Sequence, residues 1–367
     1  MTKSLANIPV RPKPRAYRCK DLLMRCAWKA LVALTLATAP MTATAQSAYR
    51  LRWAPPPTDP ATTVHCRVGV GFFENDGLPY QSGQSCEGFP GQRPTPAQFQ
   101  GKDVVLLCPT AATRGLAPLR LNGARSVTVI GCDLGRGSAS FRNMTGFVFL
   151  EGIRVDMSAK DPQHDAINAY GPPGGKPDIY LQNIHVTGVH GDYAHTHADI
   201  FQPQGPIGTL RIDHLTGTTN YQGFFLPPRD NIDAVYISNT DLSYSSNTTD
   251  DRAAKFSHLL YLRFTDLQNR GDQPVNVFLD NVYATPRQGQ TLDQSVYPGP
   301  RSAVSRVSSA PMMALSNARA GGQGKALSWP GFLGIRGSIR QGPPPNGSFV
   351  QLGPRGPGSR YVSPGYQ

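Results

Sequence analysis

The sequence predicts an all-β chain whose core is a solenoid of stacked parallel strands. Three observations carry that expectation: a turn-rich composition, a recurring short strand, and a second strand family lying between its copies. Gly and Pro supply 38 and 34 of the 367 residues, well above the usual share and without a collagen period. Only 16% of residues are charged, which disfavours helix bundles and coiled coils, since these need Glu and Lys in bulk.

The first element must be set aside before charge is interpreted. Residues 1–45 hold eight Lys and Arg and one Asp, seven of the formal +12. Within them, Arg11 to Lys29 is a basic stretch, Ala30 to Ala39 a short apolar run, and Ala43-Thr44-Ala45 a small-x-small cleavage pattern. This reads as a secretory leader, with Gln46 the first mature residue. The apolar run is too short to span a bilayer, and no later run reaches roughly 18 residues, so no stable membrane anchor is expected. The expectation is a monomer exported by a bacterium to the periplasm or the medium. The remaining +5 is modest. With no P-loop, dinucleotide fingerprint or helix-turn-helix, no nucleic-acid partner is expected.

Residues 46–100, with Ala54-Pro-Pro-Pro57 and Gly88-Phe-Pro-Gly-Gln92, read as an N-terminal cap. An open first rung would otherwise leave a strand edge exposed. Residues 101–290 form the solenoid. Copies of one short strand begin at Val127, Phe147, Ile179, Leu210, Val235 and Val277. Aligning the small or amide residue at each centre places Gly131, Gly152, Asn183, His214, Asn239 and Asn281 in one column. The steps between them vary, as when each coil adds one rung about 4.8 Å up an axis and surplus residues become loops. Asp165-Ala-Ile-Asn168, Asp199-Ile-Phe-Gln202 and Gly223-Phe-Phe-Leu226 form the second family, at offsets of 34 and 24 residues. His258-Leu-Leu-Tyr-Leu-Arg263 reads as a fourth copy. A sandwich or jelly roll is the alternative, but two ladders on one staggered spacing are hard to build that way. Residues 291–367 read as a capping tail, partly flexible, in which Trp329 to Ile335 resumes apolar character before the Gly/Pro-rich stretch Gln341 to Gln367.

The rung pattern, together with His197-Ala-Asp199-Ile-Phe-Gln202, resembles the right-handed parallel β-helix of the pectin-lyase-like superfamily over about residues 100–290. The resemblance implies that fold and a polysaccharide ligand, but not one activity. Asn239-Thr-Asp241 and Ile212-Asp-His214 resemble fragments of polygalacturonase and pectate lyase signatures. Their partner motifs are missing, so no residue roles are carried over from them.

Cysteines give a separate handle. Cys19 and Cys26 leave with the leader, and Cys66, Cys86, Cys108 and Cys132 remain for an oxidising compartment. Val104-Val-Leu-Leu-Cys108 and Thr128-Val-Ile-Gly-Cys132 superpose at an offset of 24 residues. Adjacent rungs bring such residues within disulfide reach. The expected pairs are Cys108–Cys132 and Cys66–Cys86, with buried free thiols as the alternative.

Chemistry concentrates around the second strand family, where five of the eight histidines lie between residues 164 and 197. Asp161, His164 and Asp165 precede the densest run, His190 to Asp199, and Tyr221, Arg229 and Asp230 follow it. Stacking sets Asp165 and Asp199 one rung apart, so the pair either shares a proton or holds a calcium ion. Asn168 and Gln202 align three residues later as a polar pair for sugar hydroxyls, with His164 and Arg229 as further substrate contacts. One expected activity is a polyuronate lyase or epimerase with His197 or His195 as base and Tyr193 as acid. Arg229 or calcium would then neutralise the sugar carboxylate. The other is a glycoside hydrolase using Asp192 and Asp199. Against both stand Asp165 and Asp199 as mere turn caps, and a non-catalytic glycan-binding or cell-surface protein. Calcium apart, no cofactor is expected.

Overall fold

The computed structural model describes residues 49–68, 73–74, 85–89, 95–108, 118–158, 164–226, 232–245, 257–262, 276–297, 299, 319–321, 326–329 and 334–367. The leader and Asp161, Arg229, Asp230 and Arg263 lie outside them.

Among the described residues nearly all regular structure is β. The chain begins with β1 (Thr63–Arg67), β2 (Phe73–Glu74), β3 (Ser85–Cys86), β4 (Asp103–Leu107), β5 (Leu119–Asn122), β6 (Ser126–Asp133) and β7 (Ala139–Arg142). It continues through β8 (Phe147–Asp156), β9 (Ile167–Tyr170), β10 (Asp178–Val189), β11 (Asp199–Gln204), β12 (Ile207–Thr219), β13 (Gln222–Leu226) and β14 (Ile232–Tyr244). The last are β15 (Leu260–Leu262), β16 (Asn276–Thr285), β17 (Val296–Tyr297), β18 (Arg319–Gly321), β19 (Ala326–Ser328) and β20 (Ile335–Gln341). From β4 to β17 the chain alternates between two sheets. Even-numbered strands from β4 to β16 are neighbours in a 12-stranded sheet, and odd-numbered strands from β5 to β17 in an 8-stranded one. All pairings within this run are parallel. Antiparallel strands sit only at the ends of the first sheet, β3 on β1 and β18–β19 on β20. This arrangement is compatible with a solenoid. No helix among the described residues is long and apolar enough to cross a membrane.

The recurring strand stacks as its alignment predicts. Val127, Val148, Ile179, Leu210, Val235 and Val277 pair in turn and are buried in the core between the sheets. Fully burying a side chain of this size contributes about 1.5–3 kcal/mol. The aligned central residues are all left-handed, with φ of 70° at Gly131, 65° at Gly152, 52° at Asn183, 53° at His214, 42° at Asn239 and 59° at Asn281. Most side chains resist this conformation, and Gly and Asn tolerate it best. One such residue per coil bends the long first-sheet strands at a constant height. The amides also link rungs: Asn281 donates to Asn239 Oδ1 and Asn239 to Asp213 Oδ1, both at 2.8 Å. His214 is held differently, its ring stacked on Tyr49 at 4.3 Å.

Both disulfides form as expected. Cys66 and Cys86 face each other across β1 and β3, and Cys108 and Cys132 join adjacent rungs with Cα atoms 5.4 Å apart. The strand register beneath the second differs by one residue from the expected alignment, since Val104 pairs with Val127 rather than Thr128. The left-handed Gly131 absorbs the extra residue before Cys132. A similar correction applies to the second family. Asp199 pairs with Gln222 and Phe201 with Phe224, an offset of 23, so Gly223 does not stack on Asp199. Gly223 is glycine for another reason: a Cβ there would lie 2.1 Å from the Leu259 carbonyl oxygen of the next rung.

Both ends of the described chain cover the outer face of the first sheet. Leu51 forms a parallel bridge with Tyr366, bonded through Leu51 N–H to Gly365 O and Gln367 N–H to Leu51 O, both 2.9 Å. Beneath them runs a polar column in register: Glu151, Gln182, Asp213, each fully buried. Glu151 accepts from the hydroxyls of Tyr361 at 2.8 Å and Tyr366 at 2.7 Å. Burial, reinforced by this carboxyl, raises both phenol pKa values, that of Tyr366 to about 12. Gln182 accepts from Trp53 N–H at 3.0 Å and donates to Trp53 O at 2.7 Å. Asp213 accepts from Arg52 N–H at 3.2 Å, and the Arg52 guanidinium also pairs with Asp280. Gly152 makes room for the tail, since a Cβ there would come within 2.2 Å of the Tyr361 ring.

Candidate functional site

The outer face of the second sheet carries its polar groups differently. Its short strands alternate: in β9, Ile167 and Ala169 are buried while Asn168 and Tyr170 are half-buried. Parallel register extends that alternation into two columns. Arg120, Ser140, Asn168 and Gln202 stand in one, and Asn122, Arg142, Tyr170 and Gln204 in the next. A groove of about 270 Å³ runs over their β5, β7 and β9 part, lined by Arg120, Ser140, Arg142, His164 and Asn168 among others. The Arg142 guanidinium lies 5.2 Å from the Tyr170 ring centre, within the range of a cation–π contact.

Two carboxyl groups sit beside this groove. Asp165 is buried at the entry to β9, and its Oδ1 accepts the Asp199 backbone N–H at 3.0 Å. Its Oδ2 lies 3.5 Å from the Asn168 amide nitrogen. Burial pushes the Asp165 pKa up to about 6, against the pull of the Asp199 N–H, Asn168 and the charge of His197. Asp199 lies deeper, 2% exposed, and its Oδ1 has no hydrogen-bond partner. Burial, then the neighbouring Asp165 charge, raises its pKa well above the carboxylate range. Two carboxyls this close in a low dielectric cannot both ionise, so Asp199 holds its proton and Asp165 titrates first.

His197 stands over the same rung. Its Nε2 lies 2.8 Å from the Tyr193 carbonyl oxygen. A carbonyl only accepts, so Nε2 carries a proton and donates it there, and in the neutral ring Nδ1 is the nitrogen with the lone pair. The ring lies between Tyr193, at 5.6 Å, and Tyr221, stacked at 5.7 Å.

The structure therefore brings together Asp165, Asp199, Asn168 and His197, with His164 on the groove wall and Gln202 stacked in register on Asn168. Other expected roles are not supported by placement. Asp192 is a turn cap: its Oδ1 accepts the backbone N–H of His195 and of Thr196. Those bonds, the His195 one first, hold its pKa below the usual range. With Asp192 turned into its own loop and Asp199 fully buried, neither is an open carboxylate of a flanking hydrolytic pair. His195 points to solvent, its side chain 81% exposed. Tyr193 serves His197 through its carbonyl and ring. Calcium takes six to eight oxygens, and of the pair's four Asp165 Oδ1 already accepts the Asp199 N–H. Among the described residues no group of three or more His, Cys, Asp or Glu could hold a metal, so no step is routed through one.

Arg120, Ser140 and Arg142 were missed by sequence reasoning. Leu119-Arg-Leu-Asn122 and Ala139-Ser-Phe-Arg142 do alternate, and aligning them on Ile167-Asn-Ala-Tyr170 would have found the columns. Each is only four residues long, too short to stand out alone. No family model matches the chain, and no curated protein or solved structure does either.

Proposed function

We propose that this chain is an exported right-handed parallel β-helix protein of the pectin-lyase-like kind that acts on an acidic polysaccharide by lyase or epimerase chemistry. The leader pattern and the two disulfides support export. The two alternating parallel sheets support the fold. The observation that carries the activity is the Asp165–Asp199 pair, one member neutral, beside a single-tautomer His197 and an arginine-lined groove.

Arg120 and Arg142 pair with a uronate carboxylate and make its C5 proton more acidic. His197 Nδ1 accepts that proton. In elimination the C5–H electrons form the C4–C5 double bond, the C4–O bond breaks, and Asp165, protonated below its pKa of about 6, delivers its proton to the leaving oxygen. In epimerisation C4–O stays intact and the protonated Asp165 instead delivers its proton to the opposite face of the C5 carbanion. Asn168 and Gln202 hold sugar hydroxyls.

Residues 46–367 incubated with a panel of polyuronates, with and without calcium, would be followed by the ultraviolet absorbance of the unsaturated product. The expected signal is independent of calcium and at least 100-fold weaker in His197→Ala and Asp165→Asn, in line with loss of a general base or acid (about 10²–10⁴). A silent panel removes the lyase reading.

The second reading is a glycan-binding protein without catalysis. It is favoured by amides and aromatics spread along several rungs: Asn168 and Gln202 are followed in register by Phe225 and Tyr261, stacked at 5.1 Å. Retardation of an uncleaved polyuronate in an affinity gel would make it the better account.

A further inference from the structure

Arg287, two residues beyond β16, is 5% exposed. No ion pair among the described residues includes it, and its Nε and Nη1 are buried without hydrogen-bond partners. Among the described residues no anion offsets the several kcal/mol that burying such a cation costs. What the guanidinium does instead is grip a corner. Its Nη2 donates to the Asn220 carbonyl at 2.8 Å, the Tyr221 carbonyl at 3.3 Å and Ser257 Oγ at 2.8 Å. Its plane is supported by the Tyr244 ring, 3.6 Å from the guanidinium carbon to the ring centre.

That corner, between β12 and β13, is what His197 rests on. The Tyr221 ring stacks on His197. Asn220 Oδ1 accepts the N–H of Gly191 at 2.8 Å, at the start of the loop that carries His197. Tyr221 N–H is itself held by Thr219 Oγ1 at 2.9 Å. The loop is closed tightly there: a Cβ on Gly191 would lie 2.7 Å from the Thr196 carbonyl and 3.1 Å from the Tyr221 ring. Arg287 thus fixes the ring beneath His197 and the anchor of its loop.

We infer that Arg287 is a positioning residue for His197, acting through Tyr221 and Asn220 to hold the imidazole in one tautomer, with Nε2 on the Tyr193 carbonyl. The inference rests on reading His197 as the site's base, and the test is independent of activity. Imidazole nitrogen spectra of residues 46–367 would be compared for the wild type, Arg287→Met, Arg287→Lys and Asn220→Ala, with folding monitored by circular dichroism. The wild type is expected to show His197 with a proton fixed on Nε2, toward the Tyr193 carbonyl. In folded Arg287→Met and in Asn220→Ala the resonances should move toward the average of the two tautomers. Arg287→Lys, which keeps a cationic donor, should lie between. An unchanged His197 pattern in folded Arg287→Met overturns the inference. If that variant does not fold, an unchanged pattern in Asn220→Ala overturns it. Tautomer averaging alongside a silent polyuronate panel keeps Arg287 as a positioning residue and removes the lyase reading alone.

Discussion

On the first sheet the column Glu151, Gln182 and Asp213 is roofed by the chain's own ends, whereas on the second Arg120, Ser140 and Asn168 of the outward column line a groove. Both columns arise from the same device, parallel register repeating one outward position from rung to rung. Their hydrogen bonding differs. Both oxygens of Glu151 and both ends of the Gln182 amide have protein partners, while beside the groove Asp199 Oδ1 and Asn168 Oδ1 are buried with none. Buried polar atoms are normally satisfied. Unpartnered buried atoms also occur on first-sheet strands, at Asn183 Oδ1 and His185 Nδ1, so what separates the two faces is the roof, which the chain's own ends lay over the first column and not over the groove.

The largest effect that can break this comparison lies on the roofed face. Tyr361→Phe with Tyr366→Phe leaves the Glu151 carboxyl fully buried without donors. Stability in denaturant titration should fall by about 4 kcal/mol, given up to about 1.5–3 for each hydrogen bond to such a group. The His197 tautomer should be unmoved, and equal stability would show that the roof is incidental.

Across the molecule the sign reverses. The folded pKa of Asp165 is raised to about 6 from an ordinary 3.8, so the folded state holds its proton more tightly than the unfolded one. Its contribution to stability is complete below pH 3.8 and is lost as pH rises through 6. Asp165→Asn should therefore be more stable than wild type at pH 8, by up to about 3 kcal/mol, and should lose that advantage toward pH 4. Melting curves across that range check it, and a destabilised variant at pH 8 would make Asp165 a structural cap.

Smaller effects sharpen the picture of the roof. Gly152→Ala drives a Cβ into the Tyr361 ring at a left-handed position and should cost about 2–3 kcal/mol. Gly131→Ala, where the nearest Tyr361 atom is 3.1 Å away, should cost about 1 kcal/mol. Equal losses would mean that backbone strain, not the tail, selects glycine there. Smallest is Asn281→Gly, which removes the amide bond to Asn239 but relieves the left-handed strain. A net loss below about 1 kcal/mol is expected in thermal melts.

The sequence made the coil positions readable because one left-handed residue per coil restricts the choice to Gly, Asn or, once, His214. It made the Asp165/Asp199 and Asn168/Gln202 alignments readable because they keep the same offset of 34 residues. The roof was not readable. Glu151 looks like an ordinary polar residue in a strand until Tyr361 and Tyr366, more than 200 positions later, arrive above it. Asp192 misled in the opposite way: a carboxylate near histidines suggests catalysis, but its bonds are to the next turn of its own loop. Arg287 gave no local signal, because its meaning lies in the corner it holds at Asn220 and Tyr221.

The central claim is that ligand meets the second sheet and not the first, and amide hydrogen exchange with and without an acidic oligosaccharide tests it most directly. The account predicts added protection in residues 139–142, 164–170 and 197–204, and none in residues 149–152, 180–183 and 211–214. Protection confined to the first sheet, or no change on either face with any polyuronate of the panel, would contradict it.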